Sequence, residues 1–474
     1  MTSGARTIAI VPAELDAEVG LYEIRKKIYP RAVSGWFENA SWSMVFVTQV
    51  IYYGLPWLMW NDRQAVLFDI AARRFYILGA VFWPQDVIYL AVLLIVAALS
   101  LFLFTAIAGR LWCGFACPQT VYTEIFLWIE RKIEGSHTTR MRVDREPMSA
   151  ATLGKKALKH AIWIAIALWT GITFVGYFTP FRPLLAALPG DLGGWEGFWV
   201  GFYALATYGN AGYLREQVCK YMCPYARFQS VMFDRDTLVI TYDAARGEPR
   251  GARGRKVDRA SAGLGDCIDC SICVQVCPTG IDIRKGLQYE CIGCSACIDG
   301  CNQVMDKMNY PRGLIRYTTV NALAHGYDSA TMWKRVFRAR TLVYLALLAA
   351  IVAAMSVSLW LREPLKVDVI RDRGALAREA APGVIENVYR LQIMNTGEIA
   401  QRFSIAAEGL PGLAVVGVDQ PVALPGASSR LVPLRLQAPA DAGKPGANKI
   451  EFVVSSVDDP SLASHEKSTF LFPR

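Results

Sequence analysis

Charge is scarce in this chain. Asp, Glu, Lys and Arg make up 19% of its 474 residues, against 53% that are hydrophobic. That is too apolar for an ordinary soluble protein and too charged for a bundle lying wholly in lipid. The composition implies membrane spans joined to water-exposed regions. Histidine is scarcer still, at four residues: only His160 stands near an apolar run, with His137, His325 and His465 elsewhere. An intramembrane haem, which takes axial ligands from inside the bundle, is not expected. Residues 1–40 lack an apolar core and a small-residue cleavage site, and carry Glu14, Asp16, Glu18 and Glu23. They read as a cytosolic segment and not as a secretory signal. Cysteine is missing before Cys113 and after Cys301. A disulfide scaffold would spread its cysteines through a small secreted chain, so twelve confined to this stretch point to metal. The formal charge of +9 is modest and gathers near apolar runs, which suits anchoring at a membrane face better than nucleic-acid binding.

A helix needs roughly 20 apolar residues to cross a bilayer. Five stretches qualify, at 41–60, 87–107, 161–178, 195–214 and 342–361. The fourth carries Glu196 and Asn210 and is the weakest; Trp57, Trp60, Trp83, Trp195 and Trp360 lie near the ends, as interfacial aromatics do. Arg110, Arg131, Lys132, Arg140, Arg142, Arg145, Lys155 and Lys156 separate the second and third spans, whereas Arg182 stands alone between the third and fourth. The positive-inside rule then places the N-terminus and residues 215–340 in the cytosol, and an odd number of spans places the C-terminal tail outside. Residues 111–130 could dip into the membrane, but Pro118, Glu124 and Glu130 argue against a full extra crossing. Asp86 and Glu124 read as solvated carboxylates at membrane edges.

The expected architecture is a multi-domain membrane protein. It has a cytosolic segment (1–40), a four-helix transmembrane region (41–214), a cytosolic region (215–340) with a ferredoxin domain at about 257–312, a fifth transmembrane helix (341–362) and an outer domain (363–474). The outer domain carries alternating stretches such as VYRLQIMN and SRLVPLRLQAP between Gly, Pro and Asp, the pattern of a small immunoglobulin-like β-sandwich. It offers no chemistry beyond a spacer or docking role.

Residues 267–278 read CIDCSICVQVCP and residues 291–301 read CIGCSACIDGC. Both follow C-x2-C-x2-C-x3-C, the bacterial two-cluster ferredoxin spacing in which the fourth cysteine of each run serves the other cluster. Cys267, Cys270, Cys273 and Cys301 are therefore expected to hold one [4Fe–4S] cluster, and Cys277, Cys291, Cys294 and Cys297 the other. Asn302 stands where the pattern has proline, which removes no ligand. Zinc is the competing reading, but it favours two separated Cys-x-x-Cys pairs.

The remaining cysteines form LWCGFACP and QVCKYMCP, each past an apolar run, in a weak internal repeat. Cys113 and Cys117, and likewise Cys219 and Cys223, would share a helix face at i and i+4, with Pro118 and Pro224 ending or kinking the helix. Soft thiolates favour cuprous copper, zinc or iron–sulfur clusters, and paired thiols can also cycle to a disulfide. Buried packing is the plain alternative. Arg110, Arg215 and Lys220 lie nearby and would depress thiol pKa values, although Arg110 reads first as a membrane-face anchor.

Taken together, KIYPRAVSG, LPWLMWNDRQAVLFD, AGRLWCGFACPQTVYTEIFLWIER, REQVCKYMCPYARFQSVMFD and the two cysteine runs resemble the cytochrome c oxidase accessory proteins of the CcoG/FixG/RdxA group, over nearly the whole chain. The resemblance implies an inner-membrane oxidoreductase with two [4Fe–4S] clusters. It would reduce cupric to cuprous copper for assembly of cbb3-type oxidases, with Cys113, Cys117, Cys219 and Cys223 binding or reducing the copper. Implied partners are the oxidase assembly machinery, copper carriers, membrane lipid and a cytosolic electron donor. WFENAS at 36–41 departs from the basic residues expected before the first span. Two other readings stay open: a quinol-linked electron relay, and an assembly scaffold whose clusters are structural.

Overall fold

Three helical stretches, Pro84–Ala108, Ala150–Val175 and Ala339–Trp360, are long and apolar enough to cross a membrane. They belong to a computed structural model that describes residues 27–255, 257, 263–371 and 377–473. Glu14, Asp16, Glu18 and Glu23 lie outside those residues. The first and third of these helices pack together, with the Tyr89 hydroxyl 2.9 Å from Ser358 Oγ. Elsewhere they leave Leu94, Ile95 and Leu345 exposed, a surface suited to lipid and not to water.

The other two expected spans take different bounds. The first helix runs Trp36–Gly54, not 41–60, because Pro56 cannot continue it and the chain turns into a short hairpin, Met59–Trp60 with Arg63–Gln64. WFENAS is thus the helix start. Its third residue, Glu38, gives its backbone N–H to Asp299 Oδ2 at 2.9 Å, so the segment meets another part of the protein. The third helix begins at Ala150, eleven residues before the expected 161. The fourth is an α-helix of only 14 residues, Gly194–Thr207, continued by a wide turn at Tyr208–Leu214. It lies tight against Ala150–Val175: a Cβ on Gly171 would fall 2.5 Å from the Val200 carbonyl oxygen. Small residues of this kind let helices approach closely where no hydrophobic force draws them together.

The helix ends divide between two faces. At one, Leu238 N–H donates to the Ile107 carbonyl at 3.0 Å and Arg338 pairs with Asp234. At the other, Gln64 Nε2 donates to the Gly176 carbonyl at 2.8 Å and Phe68 N–H to that of Tyr177 at 2.7 Å. This second face carries a three-stranded sheet, Val66–Asp69, Arg74–Ile77 and Ala80–Phe82, inside the region read from sequence as helices alone.

The C-terminal domain is a sandwich of two antiparallel sheets. One centres on Val384–Asn395 and Ser428–Pro439, the two strings that alternate in the sequence, paired Tyr389 to Leu434. The other centres on Gln401–Glu408, Gly446–Ser456 and Ala463–Phe472. Tyr389, Leu391, Ile393, Phe403, Phe452 and Phe470 fill the space between them, all wholly buried.

The sandwich rests on the outer sheet of the helical unit. Val81, Trp83 and Met394 form a shared apolar core, and Glu398 accepts from Trp60, Asn61 and Arg63. Asp86 was read as a solvated edge carboxylate; it is buried, 2.6 Å from Arg362 and paired with Lys366. Lys366 belongs to the first strand of the sandwich, so docking of the sandwich completes its ring of partners. Removing one member of a buried pair strands the others, so Asp86→Ala should cost about 2 kcal/mol, discounted for the partial exposure of Lys366. Thermal unfolding in detergent should show a lower transition, with faster proteolysis near residue 363.

Candidate electron-transfer site

The two ferredoxin runs fold alike because their loops need left-handed residues at the same places. Asp269 and Gly293 have φ of 53° and 75°, and Ser271 and Ser295 have φ of 54° and 65°. Asp, Ser and Gly are short enough to accept that conformation, so CIDCS and CIGCS turn in the same way. Each loop feeds a helix, Ile272–Gln275 and Ala296–Met308. The turns gather the thiols around two small cavities. One is lined by Cys267, Cys270, Cys273 and Cys301. The other is lined by Cys277, Cys291, Cys294 and Cys297, with Cys273 on the wall between them.

Among the described residues, no three His, Cys, Asp or Glu side chains stand close enough to hold one metal ion. A zinc ion with Zn–S bonds of about 2.3 Å would need sulfurs only about 3.8 Å apart. Four thiols spread around a chamber fit a larger, cuboidal group. Burial pushes the Cys294 and Cys297 thiols well up, so a bound metal must supply the charge that keeps them as thiolates.

The paired-thiol motifs differ from the sequence expectation in their backbone. Cys113 sits in the short helix Leu111–Phe115, whereas Cys117 caps the next helix, Pro118–Glu134. Cys219 sits in the wide turn Val218–Met222 and Cys223 caps Pro224–Met232. Neither pair shares a helix face. Pro118 and Pro224 begin helices instead of ending them, since a missing N–H costs nothing in the first turn. The repeat is nonetheless close: Cys117 N–H donates to Trp112 O at 2.9 Å and Cys223 N–H to Val218 O at 2.8 Å, five residues back in each case. Gly109 and Arg215, four residues before the first cysteine of each pair, both turn left-handed, at φ 54° and 45°. The halves also exchange contacts. Gln119 donates to the carbonyls of Asn210 and Arg215, and Tyr225 meets Thr105 Oγ1 at 2.9 Å.

All four thiols therefore lie in one neighbourhood. Burial, reinforced by neighbouring thiols, pushes Cys113 up to about 12 and Cys219 up to about 11, and outweighs the opposite pull of Arg110. The expected depression of these thiols does not occur. Arg215 turns to Glu130 at 2.9 Å, in a buried network with Arg140, Lys159 and Glu134. Arg140, read from sequence as a basic anchor, is 1% exposed and also binds the Pro30 carbonyl. Glu124, the second edge carboxylate, is half-buried against Arg131 at 2.7 Å.

The motif and the ferredoxin unit touch directly. A Cβ on Gly114 would fall 2.5 Å from the Gly293 carbonyl oxygen and 2.9 Å from Cys294 N, so only glycine fits in CGFAC. Gly293 is pinned from its far side by the Tyr317 hydroxyl at 2.7 Å. Beside this contact a cavity opens, walled by Gln119, Glu124 and Cys219 on one side and by Thr279, Ile292 and Cys294 on the other.

Family comparisons agree with this layout. Residues 214–320 match a 4Fe-4S dicluster domain, residues 90–135 a 4Fe-4S binding domain, and residues 355–473 the IG-like fold at the C-terminal of FixG. The nitrogen fixation protein FixG of Rhizobium meliloti is 37% identical, over 95% of this chain and 93% of its own. The chain belongs to the FixG/RdxA family. Protein RdxA of Cereibacter sphaeroides is 42% identical over 88% of this chain and 91% of its own, and RdxB of the same organism 41% over 83% and 84%. A solved FixG-related protein from Vibrio parahaemolyticus aligns over 23% of this chain and 98% of its own, at 22% identity and a TM-score of 0.21, too low to bear on the fold. As a FixG/RdxA member the chain is an iron–sulfur electron-transfer protein.

Gly114→Ala should cost about 1–3 kcal/mol through overpacking and lower the iron content of the purified protein, because the loop of Cys291 and Cys294 must move. Raised thiol pKa values set a second outcome. Cys113 stays a protonated thiol until the pH approaches 12, so in metal-free protein its alkylation by iodoacetamide should still be climbing above pH 10. An ordinary thiol, with a pKa of about 8.5, would have levelled off by then. Mass spectrometry of the Cys113 peptide reads the difference.

Proposed function

We propose that this protein carries single electrons from a cytosolic donor to cupric ion and releases cuprous copper for assembly of a cbb3-type oxidase. The observation that carries the reading is the contact of Gly114 with Gly293 and Cys294, beside a cavity walled by both Cys219 and Cys294. Cys267, Cys270, Cys273 and Cys301 would hold one cluster and Cys277, Cys291, Cys294 and Cys297 the other. Such clusters, when bound, supply one-electron storage at low potential. Cys113, Cys117, Cys219 and Cys223 would take the copper: Cu(II) gains one electron, and thiolates retain the soft Cu(I) product.

The topology that serves this reading has five crossings, with the cysteine-rich unit in the cytosol and the sandwich in the periplasm. What supports it is the run of basic residues, Arg142, Lys155 and Lys156 among them, between the second and third apolar stretches, which the positive-inside rule assigns to the cytosol.

A second reading has its own observation. Cys113 and Cys117 fall in a segment that matches a 4Fe-4S binding domain, so the four paired thiols would hold a third cluster. Iron analysis separates two four-iron groups from three.

The test is anaerobic. Reduced, detergent-purified protein, freed of excess reductant, is given cupric ion, and cuprous ion is measured with a chelating dye while EPR follows cluster reoxidation. One Cu(I) per electron lost, abolished in Cys113→Ser/Cys117→Ser, is the expected result. Clusters that stay reduced in the presence of Cu(II) would sink the copper reading and favour a quinol relay or a scaffold.

A further inference from the structure

Arg110 was read from sequence as a membrane-face anchor, yet it is only 6% exposed. Its guanidinium binds three main-chain carbonyls: those of Tyr289 and Cys291 in the second ferredoxin loop, and that of Ala226 in the helix that Cys223 caps. Its own carbonyl lies under Gly293, where a Cβ would come within 3.0 Å. Its Nε is buried without a hydrogen-bond partner. None of these three acceptors carries charge, so the positive charge of Arg110 reaches its surroundings without a partner's negative charge among its hydrogen bonds.

Arg110 sits behind the Cys291–Gly293 backbone of one ferredoxin cavity, whereas the other has an arginine on its wall, Arg284, which is ion-paired to Asp269 and Asp282. Two carboxylates largely cancel its field. The two cavities thus differ in electrostatic setting although their cysteine loops are alike. The Cys273 thiol, which lines both, feels Arg284 and Asp282 with opposite sign. A guanidinium keeps its charge in a protein interior, and one with no carboxylate among its hydrogen bonds favours whichever state of a neighbour is more negative, here against the opposing charges of Glu290 beside Cys291 and Glu124 beside Cys294.

We infer that Arg110 is a positioning residue that both locks the Cys291–Cys294 loop onto the paired-thiol motifs and raises the electron affinity of the site formed by Cys277, Cys291, Cys294 and Cys297. The site nearer the paired thiols is then the easier of the two to reduce, and the site with exposed Cys270 the harder. This rests on the reading that both cysteine sets hold iron–sulfur clusters.

The experiment is a redox titration of the full-length, cluster-loaded protein followed by EPR. In Arg110→Gln one signal should shift to a lower midpoint while the other stays. Arg110→Lys, which keeps the charge but not the three-carbonyl grip, should restore most of that shift. Asp269→Asn, at an exposed position, uncovers Arg284 and should move the other signal upward. Unmoved midpoints in Arg110→Gln, equal shifts of both signals, or equal shifts in the Lys and Gln variants would overturn the inference. If Arg110→Gln does not load iron, Asp269→Asn decides, because an unmoved midpoint there removes the proposed asymmetry. Wild-type protein without cluster signals would fail the underlying reading, whereas signals that ignore the substitutions would fail only this inference.

Discussion

The contact of Gly114 with Gly293 sets the distance between the two halves of this protein's chemistry. A Cβ at 114 would strike the Gly293 carbonyl and one at 293 would crowd the Arg110 backbone, so glycine is needed at both places. Arg110, four residues earlier, fastens the same junction by binding carbonyls on both sides of it. Residues 27–38 close the junction from outside: Arg31 N–H donates to the Gln275 carbonyl, and Asp299 accepts at the start of the first helix, where a carboxylate is also favoured by the helix dipole. The ferredoxin unit is therefore a fixed part of the membrane unit, joined to it through three separate stretches of chain. Under the proposed electron transfer, sites fixed in this way need no docking step at each turnover.

Buried charge holds the second thiol pair in the same way that close packing holds the first. Glu130 lies among Arg140, Lys159 and Arg215, and although burial alone would raise it, Arg215 and its companions hold its pKa down. Ion pairs of this kind return little net stability against desolvation, but losing one partner is costly. Their value here is register: Arg215, in a left-handed turn just before Cys219, can pair with Glu130 in only one backbone arrangement. At the outer face Asp86 has the same role, joining Trp83 N–H, Arg362 and Lys366 so that the last helix enters the sandwich at a set angle.

Legibility from sequence followed the range of the interactions. The ferredoxin loops, the long apolar helices and the sandwich strands were readable because each depends on spacing within a dozen or so residues, and side-chain periodicity reports it. The outer three-stranded sheet was not readable, since its strands have three or four residues and are stabilised by the sandwich they support. The helix start at 36 was misjudged because a cap supplied by Asp299, hundreds of residues away, leaves no local mark, whereas the end at 54 follows from Pro56, which the sequence does show. Arg110 and Arg140 show the same limit from the side of charge: an arginine beside an apolar run looks like an anchor whether it meets lipid headgroups, buried carbonyls or a buried carboxylate.

By itself, then, the sequence determined the chemistry that is available: which thiols occur in which spacing, and which stretches must leave water. Those follow from composition and local geometry. Only the tertiary structure decided which thiols become neighbours, that Gly114 meets Cys294, and that one arginine at the ferredoxin unit is paired with carboxylates while the other is not. Gly114 with Cys294 and Arg110 with Cys291 are meetings of groups more than a hundred residues apart, set by packing that no local pattern encodes, whereas Arg284 finds Asp269 and Asp282 nearby in sequence, through the folding of its own loop.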